Sequence, residues 1–209
     1  MDATIFLFLL QDGIINGAVY ALVAIATVLV FAVTRVILVP QGEFVAFTAL
    51  TIAALENGRV PSTPWLLLAL GGLAALSEVV RHFRELSVRR VARIALFDLV
   101  LPVALLWLTR TLAPMRLGQA ADILLAIALI TPMGPMIYRI AFEPIADSSV
   151  LVLLMAAFGV HFSLTGLGLL FFGPEGTGTT PLSAASFSLG TLVISGQSVA
   201  VLVLSLIHI

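Results

Sequence analysis

Residues 13–34 carry no charged side chain, and neither do residues 148–172. A helix needs about 20 mostly apolar residues to cross the hydrocarbon core of a bilayer, so each run alone has the length to span. Five more apolar runs follow the same logic. Residues 36–55 are interrupted by Pro40, Gln41, Gly42 and Glu43, and residues 64–77 are closed by Glu78. Residues 94–112 hold Asp98 near their start and Pro102 soon after. Residues 123–138 are entered at Asp122, and the last run goes from Phe187 to about Val203. All are continuously apolar, whereas strands of a membrane barrel alternate in segments of about 10 residues. The expected fold is all-α: a polytopic transmembrane helix bundle with about six or seven spans across residues 1–203.

Composition narrows the function classes. Hydrophobic residues make up 61% of the 209 positions and charged residues 10%, against about 25% charged in soluble domains. The chain therefore lacks the polar surface that would keep it in water. A formal net charge of −1 supplies no basic field for nucleic acid. The absence of cysteine excludes a disulfide framework, thiolate metal sites and cysteine nucleophiles. The apolar residues 5–10 follow Asp2 rather than a positive n-region, and no small-residue cleavage site precedes the next run. They read as the start of a retained helix rather than a signal peptide.

Orientation follows from the arginines, which are all ten of the basic residues. Arg81, Arg84, Arg89, Arg90 and Arg93 fall in one polar loop, and cytoplasmic loops hold the excess of basic residues. That loop is expected in the cytoplasm as a topological anchor; clustered arginines beside a span also attract anionic lipid. If all seven runs cross, the N-terminus is external. If residues 36–55 are re-entrant, the N-terminal side reverses.

Glu43 is the ionisable residue of most interest. Beside the helix breakers Pro40 and Gly42, a carboxylate in an apolar stretch suggests a site on a substrate path. The preferred reading is a charge complementing a helix N-terminus at the interface. Asp98 and Asp122 stand in the first turns of their runs, where the same helix-end reading suffices. Asn16, Gly17 and Tyr20 lie on the first long helix. His161 has no second histidine or carboxylate at ligand spacing, so no metal site is expected. Residues 173–178, Gly-Pro-Glu-Gly-Thr-Gly, are glycine-dense but lack the lysine of a phosphate loop. No hydrolase or zinc-protease motif is present, and no cofactor or catalytic residue is expected.

Two stretches resemble the permease subunits of branched-chain amino acid ABC importers. One is Ile15-Asn16-Gly17-Ala18-Val19-Tyr20-Ala21-Leu22-Val23-Ala24, similar to that family's opening helix, followed by Gln41-Gly42-Glu43-Phe44, where the family usually has histidine first. The other is Tyr138-Arg139-Ile140-Ala141-Phe142-Glu143-Pro144, with Gly159-Val160-His161 in the next helix. Tyr138 and Glu143 depart from the family's charged residues. Residues 78–135 have no counterpart and read as a possible insertion carrying extra helices.

The resemblance implies a non-enzymatic subunit in a bacterial inner membrane. It would pair with a second permease, two cytoplasmic ATP-binding subunits and a periplasmic substrate-binding protein, and contact membrane lipid. Asn16, Gln41 and Glu43 are then candidates for the translocation path. The family's ATPase-docking loop follows a helix like 187–203, and the chain stops before it. The final residues 204–209, Leu-Ser-Leu-Ile-His-Ile, match one reading frame of a widely used transposase sequencing adapter. They are expected to be a non-native tail on a C-terminally truncated permease domain. An ion-coupled secondary transporter and a non-transport membrane scaffold are the competing expectations.

Overall fold

The computed structural model describes residues 3–83, 87–183, 185–189 and 192–209. Five helices are long and apolar enough to cross a membrane: Ile5–Thr34, Thr63–Arg81, Val88–Met115, Gln119–Ile145 and Val150–Phe172. The chain is an all-α membrane protein, as its apolar runs require. Two of the seven runs form shorter elements. Residues 36–55 become α2 (Gln41–Glu56), 16 residues long and therefore about 24 Å, short of a hydrocarbon core of about 30 Å. Residues 187–203 do not form one helix. Ser186–Leu189 (β1) pairs antiparallel with Leu192–Ser195 (β2), and a 13-residue helix, Gly196–His208, follows. Ser-Phe-Ser-Leu alternates with the period of a strand, and the Ser195 hydroxyl accepts the Ser198 N–H at 3.1 Å, capping the helix start.

The chain forms two compact units, residues 1–37 with 180–209 and residues 38–179. In the first, α1 (Ala3–Thr34) packs along the terminal helix. There the buried Ser205 hydroxyl donates to the Ala18 carbonyl at 3.2 Å, and the Gln11 amide donates to the Val193 carbonyl at 3.0 Å.

The second unit is built around α3 (Thr63–Arg81), which touches most of the other helices in it. Its core is apolar, with Leu66, Leu67, Leu129, Met133, Met136, Phe142 and Leu153 fully buried. Two of its spans are not uniform. Val88–Met115 runs through α4 (Val88–Ile94), a π-helical segment Ala95–Val100 and α5 (Leu101–Leu112). Gln119–Ile145 runs through α6 (Gln119–Ile130), α7 (Met133–Ile137) and a second π-helical segment, Tyr138–Phe142. Proline explains the first widening. Pro102 has no N–H and its ring crowds the carbonyl four residues back, which is that of Asp98. The turn opens accordingly, and the Leu101 N–H bonds the Leu96 carbonyl five residues back. The freed Asp98 carbonyl lies against Gly71 of α3, where a Cβ would come within 2.2 Å of it. Glycine at 71 is thus what lets α3 approach this turn. The last long helix of the unit is α8 (Val150–Phe172).

Candidate functional site

Two polar clusters stand inside the second unit. The first joins the two π-helical segments to α3. Asp98, from the first segment, is fully buried. Arg139, from the second, grips both of its oxygens: Nη1 donates to Oδ2 at 2.9 Å and Nη2 donates to Oδ1. The same Nη1 reaches Glu78 Oε2 on α3 at 3.0 Å. Such a two-pronged guanidinium–carboxylate contact is the strong form of the charge-assisted bond. Arg81 closes the cluster. Its Nη2 donates to the Arg139 carbonyl at 2.7 Å and its Nη1 lies 3.3 Å from Glu143 Oε2. Every charge here has an opposite partner, so the cluster clamps three helices together without offering a free group.

The second cluster is smaller and less complete. Glu43 is the third residue of α2, with its side chain 12% exposed. Its Oε1 lies 2.7 Å from His161 Nδ1, off the line of a hydrogen bond, and accepts the Thr165 hydroxyl at 3.2 Å. Its Oε2 is buried and accepts no bond from any described residue. His161 is near the middle of the 23-residue α8, about 16 Å from either end at 1.5 Å per residue. Further along, Phe47 stacks on Phe172 with ring centres 5.5 Å apart. Thus α2 runs parallel to the second half of α8 and starts beside its midpoint. Glu43 therefore sits in the first turn of a helix that starts beside the middle of α8, where the helix N-terminus favours a carboxylate.

The candidate path residues divide between the two units. Gln41 and Glu43 share the first turn of α2, while Asn16 is exposed on α1 of the first unit. Of the basic residues, Arg81 is the last residue of α3 and Arg84 lies outside the described residues. Arg89, Arg90 and Arg93 are on α4, whose start is capped by the Ser87 hydroxyl accepting the Arg90 N–H. The polar loop is therefore shorter than the arginine spacing suggested. Asp98 is not a helix-end charge, because the helix begins ten residues earlier at Val88. His161 does have a carboxylate neighbour, but it comes from a helix far away in sequence. Asp122 is where expected, in the first turn of α6, and is buried. Among the described residues, no group of three or more His, Cys, Asp or Glu is placed to hold a metal ion.

Fold and clusters define the class as a polytopic α-helical membrane protein with ionisable groups inside its helix bundle. Compared with protein-family models, curated proteins and solved structures, the chain matches none.

Proposed function

We propose that the chain is a permease subunit of an ATP-driven importer for branched-chain or other small amino acids and amides. It would be a multi-pass protein of a bacterial inner membrane. A second permease would complete the path, two cytoplasmic subunits would hydrolyse ATP, and a periplasmic binding protein would deliver the cargo. The single observation supporting this reading is that the two stretches carrying the resemblance meet. Glu43, from Gln41-Gly42-Glu43-Phe44, contacts His161, from Gly159-Val160-His161, at the middle of α8. A helix too short to span, starting on a polar pair beside the middle of a spanning helix, is a feature expected along a cargo path.

The same pair also supports a second reading, an ion-coupled transporter, since intramembrane carboxylate–histidine pairs can carry protons. ATP-dependent uptake of leucine into proteoliposomes holding the chain and its partner subunits tests the first. Uptake that needs ATP and fails without this chain is expected. Uptake driven by a pH gradient without ATP favours the second reading. Uptake indifferent to the chain refutes both. Flanking genes for ATPases, a second permease and a binding protein are the corresponding genomic expectation.

A further inference from the structure

We propose that Glu43, His161 and Thr165 form a site for a single cation, where the ammonium group of a small cargo and the proton on His161 compete for the Glu43 carboxylate. The inference deepens the transport reading by naming the chemistry the cargo must present.

Three observations carry it. The carboxylate is largely buried, and its Oε2 takes no bond from any described residue. A buried acceptor without a donor is costly, so this atom favours an N–H group of a ligand. Second, His161 stands 2.7 Å from Oε1 without donating an in-line bond, so it neighbours the carboxylate without satisfying it. Third, the charge near this spot is simple. Glu43 and the distant Glu56 are the titratable groups of α2, and His161 is the one on α8. On the elements packed beside α8 and α2, Glu78, Arg81 and Arg139 are committed to the other cluster, Tyr138 adds a phenol, and the buried Asp122 of α6 lies towards Glu56 at the far end of α2. One carboxylate at this depth balances one positive charge, and a second would be repelled. The exchange is balanced: the site holding imidazolium takes up R–NH₃⁺ and releases one proton from His161 to water, leaving neutral imidazole beside the bound ammonium.

The test uses the full chain in lipid nanodiscs with ¹⁵N-labelled histidine, the His161 signals being assigned with His161→Gln. Three probes share the isobutyl group of leucine: L-leucine, 3-methylbutylamine, which lacks the carboxylate, and 4-methylpentanoate, which lacks the ammonium. The two amines should convert the His161 signal from the protonated to the neutral form, and 4-methylpentanoate should not. Apparent affinity for radiolabelled 3-methylbutylamine should rise about tenfold per pH unit wherever the proton competes. In His161→Gln that binding should persist and lose its pH dependence, which keeps the test independent of whether Glu43→Gln, expected to abolish binding, folds. A His161 signal unmoved by either amine, an equal response to 4-methylpentanoate, or an unchanged pH dependence in His161→Gln overturns the proposal. Amine binding with no ATP-dependent uptake would retain the site and remove the importer reading; uptake with no such binding would do the reverse.

Discussion

Arg139 holds two carboxylates, one of them fully buried, so its removal is the sharpest perturbation of the fold. Replacing it with methionine keeps an unbranched chain but leaves Asp98 without its charge partner and Glu78 without its 3.0 Å contact. Breaking a buried ion pair from one side costs about 3–5 kcal/mol. Arg139 is itself 23% exposed, which places the expected loss near the lower bound, at about 3 kcal/mol and hence a roughly 150-fold shift of the folding equilibrium. Asp98→Asn should cost less, about 1–2 kcal/mol, because Arg139 retains Glu78 and the amide still accepts one bond. The double variant leaves no stranded charge at Asp98, only Glu78 at the cluster's margin. It should therefore be more stable than Arg139→Met alone, with a coupling of about 2 kcal/mol. Unfolding by sodium dodecyl sulfate from dodecylmaltoside micelles, followed by far-UV circular dichroism, measures all three. Losses that simply add in the double variant would show that the two residues do not act as a pair and would refute the clamp.

Three further outcomes follow from single contacts. Gly71→Ala puts a Cβ 2.2 Å from the Asp98 carbonyl oxygen and 3.3 Å from Pro102 Cγ; overpacking of this kind costs about 1–3 kcal/mol, and unchanged unfolding would contradict the close approach. Thr51 donates to the Phe47 carbonyl at 2.6 Å and pairs with the Thr63 hydroxyl, both threonines buried. Thr51→Val should lose about 1 kcal/mol by leaving Thr63 without its partner, and Thr51→Ser should largely restore it. For orientation, the cysteine-free chain accepts single reporters at both ends of Val88–Met115. A membrane-impermeant maleimide should label Arg116→Cys on intact spheroplasts and Ser87→Cys only after permeabilisation; the opposite pattern would reverse the assigned topology.

The fold class was legible because bilayer length and continuous apolarity are properties of contiguous sequence. Residues 13–34 and 148–172 became long helices with little ambiguity. The failures have local causes. Phe187 looked like a helix start because apolar residues dominate its neighbourhood, yet Ser186 and Ser188 alternate with Phe187 and Leu189 as a strand does. Asp98 reads as terminal in the sequence because Arg89, Arg90 and Arg93 suggest a polar loop before it. Ser87 instead caps a helix there, and the amphipathic arginines ride on its first turns. The polar clusters were harder to see. Asp98 and Arg139 are 41 positions apart and Glu43 and Thr165 are 122 apart, so no spacing rule within one helix could join them. Pro102 and Gly71 were the available signals for the first cluster: a proline that frees a carbonyl, and a small residue on a helix able to meet it.

The two clusters also differ in what burial demands of them. Asp98 is the more deeply buried carboxylate, yet Arg139 satisfies both of its oxygens, and a buried charge with its partners in place can serve as architecture. Glu43 has one oxygen engaged and one without a donor, beside an imidazole that meets it out of line. Its incompleteness has no structural benefit, because a valine or leucine at the start of α2 would pack against α8 without any desolvation cost. The helix start favours a carboxylate, but that preference does not call for burying an oxygen that has no donor. Asp98 holds the bundle, whereas under the proposed site Glu43 is the group that meets the cargo. Replacing Asp98 should be read out in unfolding and replacing Glu43 in binding.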